Sequence, residues 1–494
     1  MGIIIRQSII TTIISYAGVV LGFINLIYLY PKYLELNQVG LLRGIQDNAM
    51  LLVPFASFGL VQCISRFYPK FSSTQNSLNS FIGLLTTFAF VGFMVMVSVF
   101  FIFKSAIVSF FSEKAQEMAN YLGTILWLSF TLLYIGLYEQ FARSQLKIAV
   151  PTFLREVGIR FVQALLMFVY VMNAIDYSQF LFLSIFIYVI CLVALIFYLK
   201  LYSTENILFR FSSINKSQLK EIGVFALVSF IGLSSVVLIA KIDSAMVIGI
   251  VGLDAAAIYT TAYYMASVIE IPKRAITTSA TALLAHAFEK NEFPEIQKIY
   301  SKASINQLII GALLFIGVWA NLDNLFQVMP KGDRYSAGFW VVTIVGGAKL
   351  IDMAFGPSSE IIGLSKHYWF NLVVITSLAA LIVVCNWILI PTYGITGAAY
   401  GTMISLVLYN GLKFLFIHFK LKLNPFTFNT IKVLVIALAV FYLNTLLPQM
   451  ISPLVDMIIR SALIAFVYGT LILLWQCSDE VQQLYRKAMS MIGL

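Results

Sequence analysis

Lys349 and Asp352 stand three residues apart near the middle of a long apolar run, 339-FWVVTIVGGAKLIDMAFGPSSEIIGL-364. An ionisable side chain at the centre of a membrane helix costs roughly 2.5–3.5 kcal/mol on insertion scales, so such residues face a bundle interior or water and mark routes for polar cargo or ions. A lysine there can hold an anion such as a phosphate. A carboxylate can set the lysine's charge and orientation, or carry a proton or Na+. The i, i+3 spacing puts both side chains on one helical face and predicts that they pair. Arg43 and Asp47 repeat the arrangement at i, i+4, nearer one end of a span. Glu270, Lys273 and Arg274 straddle Pro272 in another, and Arg160 lies about a turn inside a further one. The expected anion contacts are therefore Lys349, Arg274, Lys273, Arg43 and Arg160; the expected ion-coupling or charge-pairing groups are Asp352, Glu270 and Asp47. A plainer reading stands beside each. Lys349 and Asp352 can be a self-neutralising pair that fixes helix register, Arg43 and Arg160 can snorkel to the surface, and Lys273 with Arg274 can open an amphipathic helix on the cytoplasmic face.

Other chemistry has little to work with. No Gly-Lys dipeptide occurs, so a Walker A phosphate loop is excluded. His286, His367 and His418 are far apart and show no ligand spacing, and the four cysteines form no CxxC pair. No predicted outer loop exceeds about twenty residues, which leaves no room for an extracytoplasmic catalytic domain. Neither a metal, a cofactor nor an enzyme activity is expected. The cluster 259-YTTAYYM-265 could stack on sugar rings or form part of an interfacial aromatic belt.

The elements that must position these residues are membrane spans. Of 494 residues, 60% are hydrophobic and 11% charged, and the mean hydropathy is +0.92. A soluble domain is nearer half apolar and a quarter charged. Apolar stretches long enough to cross a bilayer recur from end to end. The first, from about Ser8 to Tyr30, is too long for a signal-peptide core and lacks a small-residue cleavage site, so it reads as a retained span. Fourteen spans are predicted: 8–30, 39–66, 79–103, 119–139, 155–174, 178–199, 221–242, 255–286, 303–320, 336–363, 368–390, 395–417, 429–447 and 457–476. With the N-terminus inside, predicted cytoplasmic segments and margins carry 22 Lys/Arg, counting Lys273 and Arg274 on their cytoplasmic-face reading, against seven outside, with Arg43, Arg160 and Lys349 left within spans. That asymmetry places both termini in the cytoplasm. It also explains the net charge of +10: the excess lies along the inner face, where anionic lipids attract it, and implies no nucleic-acid partner.

A repeat is visible as well. A shift of about 218 residues lays the first six spans on spans seven to twelve and brings Pro54 onto Pro272. A shift of 219 brings Lys147 onto Lys366. Because the copies are six spans apart, they share one orientation and would be related by a pseudo-twofold axis along the membrane normal. The fold class is thus all-α and polytopic. An N-terminal six-helix bundle is expected at 1–202, a cytoplasmic linker at 203–220, a second bundle at 221–422, and two additional helices with a cytoplasmic tail at 423–494.

Three segments carry a family resemblance: 6-RQSIITTIISYAGVVLGFINLIYLYPKYLELNQVGLLRG-44, the charged stretch 287-AFEKNEFPEIQKIYSKAS-304, and 390-IPTYGITGAAYGTMIS-405. Over essentially its full length the chain resembles the multidrug/oligosaccharidyl-lipid/polysaccharide exporter superfamily, and within it the Wzx-type flippases of lipid-linked polysaccharide repeat units. The resemblance implies alternating access of two bundles about a central cavity whose cationic wall holds a pyrophosphate. It implies as cargo an undecaprenyl-type lipid-linked oligosaccharide for O-antigen, capsule or exopolysaccharide, flipped across a prokaryotic cytoplasmic membrane. With no nucleotide site, the candidate drivers are an H+ or Na+ gradient, the membrane potential, or consumption of product on the far side; membrane lipids and polysaccharide-assembly membrane proteins are the candidate partners. Three alternatives stand beside this reading. A cation-coupled multidrug (MATE-type) exporter would favour an acidic, aromatic cavity. A peptidoglycan-precursor flippase would carry arginines in its first span, where this chain has none after Arg6. A polysaccharide polymerase or ligase would need a substantial outer loop.

Overall fold

The computed structural model describes residues 2–72, 75–111, 115–202, 215–449 and 452–492. Most of the linker expected at 203–220 lies outside them. Every regular element among the described residues is a helix. Eleven are long and apolar enough to cross a membrane, or twelve if one bent pair is a single span. The two predicted spans missing from that set, 155–174 and 255–286, are helical but interrupted. The first passes through a π-turn, Leu154–Gly158, that carries Arg155 and Glu156. The second breaks at a 3₁₀ turn, Val268–Glu270. These breaks leave helices of 13 residues, Ile159–Val171, and 15 residues, Leu253–Ser267, so the count of fourteen is not reached by length and composition. The protein is a multi-pass membrane protein. Side chains such as Phe197, Leu438 and Phe466 stay exposed in an apolar coat that lipid covers.

The chain divides into two compact units, Met1–Ala257 and Ile258–Leu494. In the first, α1 (Ile10–Tyr33) leads into α2 (Leu36–Ser57) and α3 (Leu60–Phe71). A capping box opens α2: Gln38 accepts the Glu35 N–H at 2.9 Å, while the Glu35 side chain accepts the Gln38 N–H. Its end is equally well marked. Phe58 and Gly59 are both left-handed, at φ 44° and 77°, and the chain bends by 50° into α3. Then come α4 (Ser77–Ile102), α5 (Leu122–Ser144), α6 (Ile159–Val171), α7 (Tyr177–Tyr202) and α8 (Lys216–Ile250). Helix α8 lies along α2 and α3, and glycine makes the approach close. A Cβ on Gly59 would fall 2.1 Å from the Ala226 carbonyl oxygen and one on Gly44 would fall 2.8 Å from the Ile248 side chain, while one on Gly40 would fall 2.0 Å from the carbonyl oxygen of Leu253, just past the end of α8. Lipid being as apolar as any side chain, such van der Waals fit holds membrane helices together. The core is aromatic and leucine-rich; Phe71 stacks on Phe81 at 4.5 Å.

In the second unit α9 (Leu253–Ser267), which begins at the end of the first, passes through the 3₁₀ turn into α10 (Ile271–Glu289), with Pro272 at the new helix's first turn. This is the favoured place for a proline, whose missing N–H is needed least there. Pro54 and Pro272, matched by the sequence repeat, thus both lie beside a helix break. Helix α11 (Phe293–Ala320) packs on α12 (Phe339–Ala354), on α16 (Phe428–Thr445) and on α17 (Pro453–Leu474). The Tyr468 hydroxyl donates to the Ile309 carbonyl at 3.0 Å. Helix α12 stops at Gly356, whose φ of +61° favours glycine and whose missing Cβ would lie 3.0 Å from Ser304. Pro357 and the short α13 (Ser358–Leu364) follow, then α14 (Tyr368–Tyr393) and α15 (Ile395–Phe416), and last the amphipathic α18 (Asp479–Ile492).

Candidate functional site

The second unit gathers four of the predicted residues at its two helix breaks. Glu270 ends the 3₁₀ turn, Lys273 opens α10, and Lys349 and Asp352 occupy the last turns of α12. Gly346 lets that turn lie against α12, for a Cβ there would meet Ile269 at 2.9 Å. One turn further on, Lys349 is 8% exposed and pairs with Glu270, while its Nζ lies 5.2 Å from the centre of the Tyr263 ring. Asp352 pairs with Lys273 and accepts a hydrogen bond from the Asn410 amide at 3.0 Å. The expected intrahelical pair of Lys349 with Asp352 is therefore replaced by two cross-helix pairs. A partner on a facing helix also covers its partner's charge, whereas an i, i+3 pair leaves both on one surface. Arg274, next to Lys273, is exposed and stands apart from the cluster.

One member was missed in the sequence. Lys413 of α15 reads as a cytoplasmic margin cation, yet it is 3% exposed. Its Nζ donates to the Ser359 hydroxyl at 3.1 Å and lies 3.9 Å from the Tyr409 ring centre. Asn410, at i−3 on the same helix, was the available signal: two polar residues on one face of an apolar span. Tyr263 joins the site from the tyrosine cluster, with Tyr259 fully buried behind it at a ring separation of 6.0 Å. The arrangement concentrates three lysines and two paired carboxylates among the packed helices of the second unit, chemically suited to holding an anion or exchanging ion-pair partners. Among the described residues no group of His, Cys, Asp and Glu could hold a metal ion.

The first unit carries its own charges. Asp47, 5% exposed at the side chain, pairs with Lys241 of α8 at 2.6 Å and not with Arg43. Arg43 donates to Gln46 at 3.3 Å, and its Nε is buried with no partner. Arg160 pairs with Glu156 at 3.2 Å; its Nη1 is likewise buried without a partner, in space that a Cβ on Gly18 would enter at 2.9 Å. Both guanidinium groups act electrostatically on Tyr30 and Tyr188, which places them around one buried spot. Neither tyrosine could have been picked out among the 25 in the chain.

A family described as polysaccharide biosynthesis protein matches residues 4–284. Over 228 residues, 44% of this chain, the sequence is 23% identical to the probable low-salt glycan biosynthesis flippase Agl15 of Haloferax volcanii, and the chain spans about half of that relative's length (46%). The fold superposes on the lipid II flippase MurJ in an inward closed conformation with a TM-score of 0.73, at 13% identity, covering 95% of this chain and 98% of that one. It superposes on an inward-facing multidrug resistance MATE family transporter of the MOP superfamily with a TM-score of 0.64, at 14% identity, covering 85% and 98%. A MOP superfamily transporter from Pyrococcus furiosus, described by the reversed polarity of its binding pocket, gives 0.52 at 15% identity, covering 85% and 95%. These likenesses show that the chain shares its fold with the lipid II flippase MurJ and with MATE family transporters.

Proposed function

Since the chain belongs to the polysaccharide biosynthesis protein family, we propose that it is a flippase that moves lipid-linked oligosaccharide units from the inner to the outer leaflet of a prokaryotic cytoplasmic membrane. The cargo is an undecaprenyl-pyrophosphate-type lipid bearing a short glycan for surface polysaccharide, O-antigen among the candidates. Its headgroup crosses by alternating access while its tail stays in lipid. Both termini are cytoplasmic in this reading, as the Lys/Arg asymmetry supports.

The observation that carries the proposal is the lysine-rich cluster of the second unit. Lys273, Lys349 and Lys413 are all withdrawn from solvent, where an ammonium group binds a phosphate oxygen more strongly than in water. A pump for cationic drugs would concentrate carboxylates there, and here each paired carboxylate is already matched by a lysine. Arg43 and Arg160, with buried unpartnered N–H groups, are the corresponding contacts of the first unit. Asp352 and Glu270 are the candidate carriers of H+ or Na+, and either can load an ion only when its lysine departs. The energy source is a gradient, with no catalytic step. Replacing Lys273 and Lys349 by Met in the native host tests the proposal: surface glycan should fall while the protein stays in the membrane. Normal surface glycan at normal protein level would refute it.

A further inference from the structure

Lys413 is a buried cation that the ion pairs of the second unit do not use. It has no carboxylate oxygen within 4.0 Å among the described residues. One hydroxyl, that of Ser359, and the face of Tyr409 are its neighbours. An ammonium group has three donors, so this one is poorly matched where it sits. Asp352 is the opposite case. Its side chain is 15% exposed, with one oxygen on Lys273 and the other on the Asn410 amide. Removing one partner of a buried ion pair leaves an uncompensated charge and is strongly unfavourable. Lys273 is therefore held fast, and an anion can recruit it only if something else covers Asp352.

We propose, on the flippase reading above, that Lys413 is the reserve counter-ion of Asp352: it takes over the carboxylate when an anionic headgroup draws Lys273 onto itself. The geometry favours the exchange. Lys413 lies three residues after Asn410, hence on the same face of α15, and Asn410 already touches Asp352. The charge of Lys413 acts on Asp352 across this gap. The Oδ1 atom of Asn410 is buried and accepts no hydrogen bond, so a side chain swinging from Ser359 toward Asp352 meets an open acceptor on the way. What Lys413 gives up is a neutral hydroxyl, and what it gains is a carboxylate. Glu360, the other acid whose charge acts on Lys413, forms no ion pair among the described residues and does not touch Asp352. In this scheme Lys413 is a positioning residue that frees Lys273 without itself touching cargo.

The test is a binding cycle on the full-length protein in detergent, with inorganic pyrophosphate as the probe and calorimetry as the readout. Lys413→Met should weaken pyrophosphate binding about tenfold or more, because Lys273 can no longer leave Asp352. Asp352→Asn releases Lys273 outright, so adding Lys413→Met to it should change affinity by less than about threefold. Lys413→Arg, which keeps the charge, should bind as the wild type does. Lys413→Gln, which keeps a donor to Ser359 but no charge, repeats the Met experiment should that variant not fold, and it should lose affinity in the same way. Equal losses from Lys413→Met with and without Asp352→Asn would overturn the exchange while leaving the flippase reading intact. Failure of the wild type to bind pyrophosphate would overturn both.

Discussion

The pair of Asp47 with Lys241 gives the sharpest test of how the first unit is held together. Gly44 and Gly59 let α8 lie close against α2 and α3, and the two charges meet at 2.6 Å with side-chain exposures of 5% and 26%. At that distance and an effective dielectric constant of about 20 the direct attraction is about 6 kcal/mol, much of it offset by desolvation. Removing one partner of a buried pair typically costs about 3–5 kcal/mol. Lys241→Met belongs at the low end, about 3 kcal/mol, because Arg43 also acts on the stranded carboxylate. Asp47→Asn should cost about 1 kcal/mol, because Lys241 is a quarter exposed and can reach water. The double variant should then be about 2 kcal/mol less damaging than the sum. For a chain of 494 residues, about 3 kcal/mol lowers the thermal midpoint by about 3 °C, which thermal unfolding of the four proteins in detergent resolves. Strict additivity of the two single changes would refute the pairing.

Three further outcomes follow from particular contacts. Gly40→Ala places a methyl group on the Leu253 carbonyl, where backbone cannot yield, and should cost about 3 kcal/mol or more; an unchanged thermal midpoint would contradict the close packing. Lys349→Ala should cut flipping about tenfold while the protein still folds, since Glu270 is 31% exposed and tolerates the loss; adding Glu270→Gln should not restore it, and recovery in the double variant would show that the stranded acid, not the missing cation, was at fault. At the C-terminus, partial burial pushes the Glu480 carboxyl up, but hydrogen bonds from Lys302 at 2.6 Å and Ser478 at 3.1 Å outweigh it and hold the carboxyl below the ordinary glutamate range. Its contribution to docking α18 on α11 is therefore present above that range and lost as pH falls through the lowered value. Limited proteolysis should find α18 released only in acid, and Glu480→Gln should abolish the acid step; release already near neutrality would contradict this.

Composition made the class legible, and apolar run length placed most helices. Pro54 and Pro272, visible in the sequence as repeat-matched prolines midway along long segments, each lie beside a helix break, because proline restricts where a helix can continue. Burial cost also singled out Lys349 and Asp47, which the structure buries, and Asp352 and Glu270, which pair with lysines on neighbouring elements. Their partners were not legible. Sequence spacing suggests neighbours along one helix, but each of these side chains is satisfied from a facing element whose approach depends on glycines such as Gly346 and Gly44. Lys241 illustrates the boundary problem. The polar pair Asp243-Ser244 looks like the end of a span, so Lys241 reads as an outer-margin residue, yet α8 continues to Ile250 and leaves it inside. Lys413, near the end of its span, reads equally well as a snorkelling cation, and only tertiary packing distinguishes burial from escape to the surface.

The central claim is tested most directly by shutting off the gene in the native host and measuring which leaflet holds the lipid-linked oligosaccharides, with surface glycan recorded in parallel. The account predicts complete repeat units accumulating on the cytoplasmic leaflet as surface glycan disappears. Unchanged glycan and lipid intermediates, with greater retention of cationic dyes, would contradict it and point to drug extrusion.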